Sequence, residues 1–183
     1  MDEHASALQT AAAIRAKEVS PLEVLDECLA RVDVCNPELN AVIWRNDEEA
    51  RAAARSLGER IAAGEGELPP FAGVPLPIKD LLPVEGQPAT YGSRGAPEGP
   101  SATSGPIAEA FVRAGFILTG RTNTPEFGSI TVTENDRFGV TRNPWNTGHT
   151  SGGSSGGAGS AVAAGMFPAG ALWGFRTREE LVE

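Results

Sequence analysis

The reading of this chain turns on Thr150-Ser151-Gly152-Gly153-Ser154-Ser155-Gly156-Gly157-Ala158-Gly159-Ser160. Adjacent serines framed by paired glycines are costly to order, because each glycine gives up more backbone freedom than any other residue. Such a run is either a flexible Gly/Ser linker or a loop whose torsions and close approaches leave no room for a Cβ. The segment that follows, Ala161-Val162-Ala163-Ala164-Gly165-Met166-Phe167, is apolar and packable. The glycines therefore end against buried structure, and the run reads as a shaped site.

Upstream, Phe71-Ala72-Gly73-Val74-Pro75-Leu76-Pro77-Ile78-Lys79-Asp80 alternates Val74, Leu76 and Ile78. That alternation predicts a half-buried strand. Prolines at 75 and 77 each remove a ladder donor and predict an edge or irregular strand. Taken alone, Lys79 reads as a solvated surface lysine. Beside the serine-rich loop it reads differently, since a lysine kept out of water loses affinity for its proton and becomes a neutral base. A serine hydroxyl is a poor nucleophile until such a base sits next to it.

Together with Gly120-Arg121-Thr122-Asn123-Thr124-Pro125-Glu126-Phe127-Gly128 and Thr141-Arg142-Asn143-Pro144-Trp145-Asn146, these segments resemble the amidase signature family of serine hydrolases. The resemblance runs across roughly residues 5 to 169, with several independent motifs in order. It implies an α/β fold, a mixed central sheet flanked by helices, of which this chain supplies only part. It implies hydrolysis of carbon–nitrogen bonds in small-molecule amides by a Ser-Ser-Lys triad, without a cofactor or metal. Lys79 is then the base, Ser154 the middle serine, and Ser155, Gly152 and Gly153 its support, with a cis peptide at Gly153-Ser154. Homodimers are common in the family, although nothing in the residues fixes that state here.

One departure matters. The family pattern places a glycine-rich loop ending in the nucleophilic serine roughly two dozen residues beyond the middle serine. Counting from Ser154 reaches Arg178, within an ending, 171–183, that contains no serine. The resemblance stops at about Pro168. The chain then turns charged, with Arg176, Arg178, Glu179, Glu180 and Glu183, as after a frameshift or early stop. The expected organisation is thus an N-terminal part of an amidase domain over 1–169, with helices over 5–63 and core segments over 71–169, and a divergent tail over 170–183. Lacking a nucleophile and oxyanion loop, it is expected to be catalytically incomplete. The alternative is a non-catalytic fragment or interaction module built from amidase parts.

Other chemistries fit poorly. Gly152-Gly153-Ser154-Ser155-Gly156 also matches the nucleophile elbow of α/β-hydrolases, but that site needs a downstream histidine, and both histidines, His4 and His149, precede Ser154. A phosphate loop needs Gly-Lys followed by Ser or Thr, and no lysine follows Gly152. A formal net charge of -9 disfavours nucleic-acid partners. Without an apolar run near 18 residues no membrane span is expected, and the acidic start Met1-Asp2-Glu3-His4 is unlike a signal peptide. The expected compartment is the cytoplasm. Cys28 and Cys35 lie about 10 Å apart along one helix, beyond disulfide reach, and read as core thiols.

For the remaining elements, periodicity predicts a helix over 5–18. A second begins at Ser20-Pro21-Leu22-Glu23, a capping serine, an N1 proline and a capping-box glutamate. Its stripe of Leu22, Leu25, Cys28, Leu29 and Val32 ends at Asn36-Pro37. A third, over 46–63, carries a solvated face with pairs such as Asp47–Arg51. Ala108 to Ala114 reads as a helix and Phe116 to Thr119 as a buried strand. Thr122, Asn123, Glu126 and Phe127 sit where α/β proteins place site residues, with turn formation as their ordinary role. Asn143 to Asn146 reads as a turn with a buried indole, and His149 as a hydrogen-bonded loop residue. By analogy with the family, Tyr91-Gly92-Ser93 borders an acyl pocket.

Overall fold

Two serines start the first two helices in the same way. Ser6 and Gln9 close a capping box on α1 (Ala7–Arg15), and Ser20 and Glu23 close one on α2 (Pro21–Leu39). In the second, Ser20 N–H donates to Glu23 at 2.8 Å while Glu23 N–H donates to Ser20 Oγ at 3.2 Å, so donors that a helix start leaves orphaned are satisfied locally. The computed structural model in which these elements are seen describes residues 5–97 and 99–171. Most of the divergent tail expected over 170–183 lies outside the described residues.

The helix α2 does not stop at Asn36-Pro37. It continues to Leu39 and ends on Asn40, whose left-handed backbone (φ 50°) lets its N–H reach the Asn36 carbonyl. Pro37 removes one N–H only in the final turns, and the Asn36 side chain binds the chain beyond, accepting from Ala41 and Val42 N–H at 2.8 Å each. This reversal launches β1 (Val42–Arg45), a strand that interrupts the all-helical stretch expected over 5–63. After β1 comes α3 (Asp47–Ala63), closed by Gly64. Arg51 does not pair with Asp47. It crosses to Asp26 of α2 at 2.8 Å, while Asp47 is taken by Arg45 at 2.5 Å, because α2 and α3 pack side by side through Leu25, Leu29, Ala50 and Ala54.

Next in the chain are β2 (Pro75–Lys79), α4 (Pro106–Ala114) and β3 (Ile117–Thr122). The sheet has the order β1-β3-β2, with β3 antiparallel to β1 and parallel to β2. The fold is therefore mixed α/β. As the prolines require, β2 is an edge strand and its register slips between Leu76 and Ile78. It is not half-buried, however: every position is buried. Helix α4 covers Ile78 and Leu118 from one side through Ala108 and Phe111, joined by Ala171. Among the described residues, the largest apolar cluster joins Ile14, Val24, Cys28, Val32 and Val42 to Ala161, Met166 and Phe167. Cys28 is in that cluster and Cys35 only flanks it; both thiols are free.

The segment 123–150 carries short pairings that periodicity did not predict: β4 (Glu134–Asn135) with β5 (Gly139–Val140), and β6 (Arg142–Asn143) with β7 (Asn146–Thr150). Trp145 sits at the tip of the second hairpin and is 56% exposed, not buried. His149 lies exposed on β7 and not in a loop. The second half of the glycine run is likewise no loop: Gly156–Ala163 form α5, with its first residues buried.

Candidate active site

Lys79 ends β2, and the turn leading into α5 crosses above it. The lysine is 1% exposed, whereas Ser154 and Ser155 are half-buried and Gly153 is open to solvent. Lys79 Nζ lies 2.7 Å from Ser154 Oγ and 2.9 Å from Ser155 Oγ. The Gly153-Ser154 peptide is cis, and Gly152 adopts φ 74°. Burial alone lowers the lysine's proton affinity, taking its pKa to about 8. With no carboxylate contributing, removal from water disfavours the ammonium form. The result is a buried amine that can lose its proton near neutral pH, set between hydroxyls that border solvent.

The neighbouring carboxylate has another job. Asp80 is fully buried and accepts from Thr90 N–H (2.9 Å), Thr90 Oγ1 and Gly92 N–H (3.2 Å). It thereby folds 90–93 back against β2. Tyr91 then accepts Phe127 N–H at 2.8 Å on its carbonyl, and its ring stacks on Phe127 with centroids 6.3 Å apart. Phe127 is 64% exposed. The adjoining Gly128 faces the serine turn, since a Cβ there would stand 3.8 Å from Ser154 Cβ. A cleft of about 480 Å³ opens between the 126–130 segment and the β4–β5 hairpin, lined by Glu126, Ser129, Ile130, Glu134 and Asn135 among others. Arg121, also fully buried, gives Nη1 to the Leu82 carbonyl, and burial lowers its pKa to about 10.

What holds the serine turn in place is a seam of buried polar side chains. Asn123 Nδ2 donates to Thr141 Oγ1 at 3.0 Å and to the Gly139 carbonyl at 3.2 Å, and Asn135 Nδ2 donates to Asn123 Oδ1 at 2.8 Å. Thr124 Oγ1 donates to the Ser154 carbonyl at 3.0 Å, and Thr133 Oγ1 accepts Gly156 N–H at 3.0 Å. Helix α5 can approach this seam only because its first residues lack side chains. A Cβ on Gly157 would lie 2.8 Å from the Ala41 carbonyl oxygen and closer still to Asn123 main-chain atoms.

Of the residues singled out by sequence, Lys79, Ser154 and Ser155 come together, with Gly152 and Gly153 in the turn. Asn123 serves as an anchor, and Tyr91 and Phe127 stack on each other. His149 and Trp145 instead lie exposed on the β6–β7 hairpin. The sequence assigns no role to Thr124, Thr133 or Asn135, since a threonine or asparagine in a loop carries no periodic signal, nor to Asp80, whose partners Thr90 and Gly92 lie ten and twelve residues on. Among the described residues no group of three or more His, Cys, Asp or Glu is placed to hold a metal ion, and no helix is long and apolar enough to cross a membrane.

Known proteins resemble this chain over most of its length. An acylamidase of Rhodococcus erythropolis is 39% identical over 163 residues, covering 89% of this chain and 34% of the relative. An indoleacetamide hydrolase of Bradyrhizobium diazoefficiens is 43% identical over 161 residues, covering 88% and 30%. The solved 6-aminohexanoate cyclic dimer hydrolase superposes with a TM-score of 0.83 at 38% identity, over 93% of this chain and 34% of that one. A bacterial aryl acylamidase gives 0.84 at 34% identity, over 90% and 34%. The chain thus spans about a third of the length of the relatives it matches. The model of the amidase family matches residues 23–171, a stretch that takes in β2, the polar seam and the serine turn alike, and on that extent the chain belongs to the amidase signature family.

Proposed function

We propose that this chain carries the lysine and the relaying serine of a Ser-Ser-Lys site for hydrolysis of small-molecule amides. The observation that carries the reading is Lys79 Nζ, buried and 2.7 Å from Ser154 Oγ. In its ammonium form the lysine donates to both hydroxyls. Once neutral, it accepts the Ser154 proton, while Ser154 Oγ takes the proton of an attacking serine whose oxygen adds to the amide carbonyl. The amine leaves with a returned proton, and water then releases the acyl group. Gly152 and Gly153 shape the turn, and Ser155 orients the amine. Relatives that include an acylamidase and an indoleacetamide hydrolase support amides as the substrate class. A cytoplasmic location and a homodimeric assembly belong to the same proposal.

Within the 183 residues the attacking serine has no counterpart in this reading, so the isolated chain does not turn over amides. Purified chain assayed against aryl and alkyl amides is expected to match a Lys79→Ala control. Turnover by the wild-type chain that Lys79→Ala abolishes would contradict incompleteness while leaving the lysine's role standing.

A further inference from the structure

The serine turn and the lysine belong to different parts of the chain, and a hydrogen bond shorter than 3 Å between their side chains needs a framework that fixes both. On the lysine side the framework is the sheet: Lys79 on β2 is in register with Thr122 on β3. Immediately after Thr122 the chain is tied down at each step. Asn123 N–H donates to the Ala41 carbonyl at 2.9 Å. Thr124 N–H donates to Asn123 Oδ1 at 3.0 Å, and the Thr124 carbonyl accepts Asn135 Nδ2 at 2.7 Å. Thr124 is fully buried, so its hydroxyl has a fixed position relative to the strand that carries Lys79's partner.

That hydroxyl is spent on Ser154. Thr124 Oγ1 donates to the Ser154 main-chain carbonyl at 3.0 Å. A ring is thereby closed: from Lys79 across the sheet to Thr122, along the backbone to Thr124, through its hydroxyl to the Ser154 carbonyl, and from Ser154 Oγ back to Lys79 Nζ. We propose that Thr124 is a positioning residue, whose hydroxyl holds the Ser154 carbonyl so that Ser154 Oγ stays within hydrogen-bond reach of Lys79. Two properties of threonine suit it to this task. Its β-branch restricts χ1, so the donor is aimed with little rotamer freedom to lose, and its methyl group fills buried space while the hydroxyl is used. Valine keeps the shape and removes the donor, whereas serine keeps the donor and removes the methyl group.

The inference rests on the reading of Ser154 as the relaying hydroxyl, but its test needs no turnover and so fails separately from that reading. Lys17 and Lys79 are the only lysines in the chain, which makes Lys79 resolvable by NMR with carbon-13 at lysine Cε. Ser154 and Ser155 contact Nζ, while the adjacent Asp80 carboxylate is engaged by Thr90 and Gly92 and the Arg121 guanidinium by Leu82. In Thr124→Val the Ser154 carbonyl loses its donor, the turn loosens and water reaches Nζ. The Lys79 midpoint is expected to rise by about one pH unit or more as burial is relieved. In Thr124→Ser the midpoint is expected to stay at the wild-type value. A Thr124→Val chain that titrates Lys79 like wild type would overturn the proposal, whatever its melting temperature, since a purely structural threonine changes stability and leaves the midpoint alone. A shift in Thr124→Ser as large as that in Thr124→Val would overturn it too, and that variant retains the hydrogen bond and so remains folded.

Discussion

The helical layer of α1 to α3 and the polar seam around the serine turn are held together by different physics. In the layer, Leu25, Leu29, Ala50 and Ala54 interlock between α2 and α3, and the free energy comes from apolar surface removed from water. In the seam, fully buried Asn123, Thr124, Thr133 and Thr141 exchange hydrogen bonds, and glycines let α5 come close enough to join them. An apolar core tolerates a lost methylene by partial collapse. A polar seam has no such latitude, because each donor or acceptor left unpaired bears its full desolvation cost.

The sharpest way to break this contrast is to add an atom to the seam. In Gly157→Ala the new Cβ meets main-chain atoms of Asn123 and Ala41, which cannot swing aside like a side-chain tip. A loss of more than about 5 kcal/mol is expected, read as the disappearance of the cooperative thermal unfolding transition. Removing atoms from the helical layer should do less. Leu25→Ala, at a fully buried position, is expected to cost about 2–5 kcal/mol with cooperative unfolding retained, measurable by urea denaturation. If Leu25→Ala proved the more damaging, the distinction between the regions would fail.

A smaller effect isolates the charge in the site. The folded pKa of Lys79 is about 8, against roughly 10.4 for an exposed lysine. Between those values the unfolded chain binds more protons than the folded one, so stability increases with pH. From pH 8 to 9 the gain is about 1 kcal/mol. It should vanish in Lys79→Met. Above 9.0 the buried Cys28 thiol, pushed up to about 12, acts in the opposite sense, since the unfolded chain surrenders that proton first. Least of all should follow from Arg51→Gln, which breaks the partly exposed pair with Asp26. Below about 1 kcal/mol is expected by denaturant titration.

The two regions also differed in how far the sequence could be read. The helical layer was legible because burial there follows a 3.6-residue period and because Ser20-Pro21-Leu22-Glu23 states a helix start in local chemistry. It failed at Pro37, where a proline near a helix end removes only one donor, and at β1, whose Val42-Ile43-Trp44-Arg45 is too short to show alternation. Lys79 and Ser154 stood out by motif, and the structure brings them together across 75 positions of sequence. The seam between them was not legible. Thr124 and Thr133 look like ordinary loop threonines until partners distant in sequence arrive, and the indole of Trp145 looked buried only because tryptophan usually is. The pair Asp47–Arg51 failed for a related reason: helical spacing ranks neighbours on one helix and is blind to the acid that a second helix presents.

The central claim, that Lys79 and Ser154 are the base and relay of an amide hydrolase, is tested most directly in a complete enzyme. Residues 23–171 of this chain would replace the matching stretch of the Rhodococcus erythropolis acylamidase, and amide hydrolysis by the folded chimera would be measured with Lys79→Ala and Ser154→Ala versions beside it. The account predicts a chimera that hydrolyses amides, with each substitution lowering kcat by about 100-fold or more. Hydrolysis that survives either substitution in a folded chimera would contradict it.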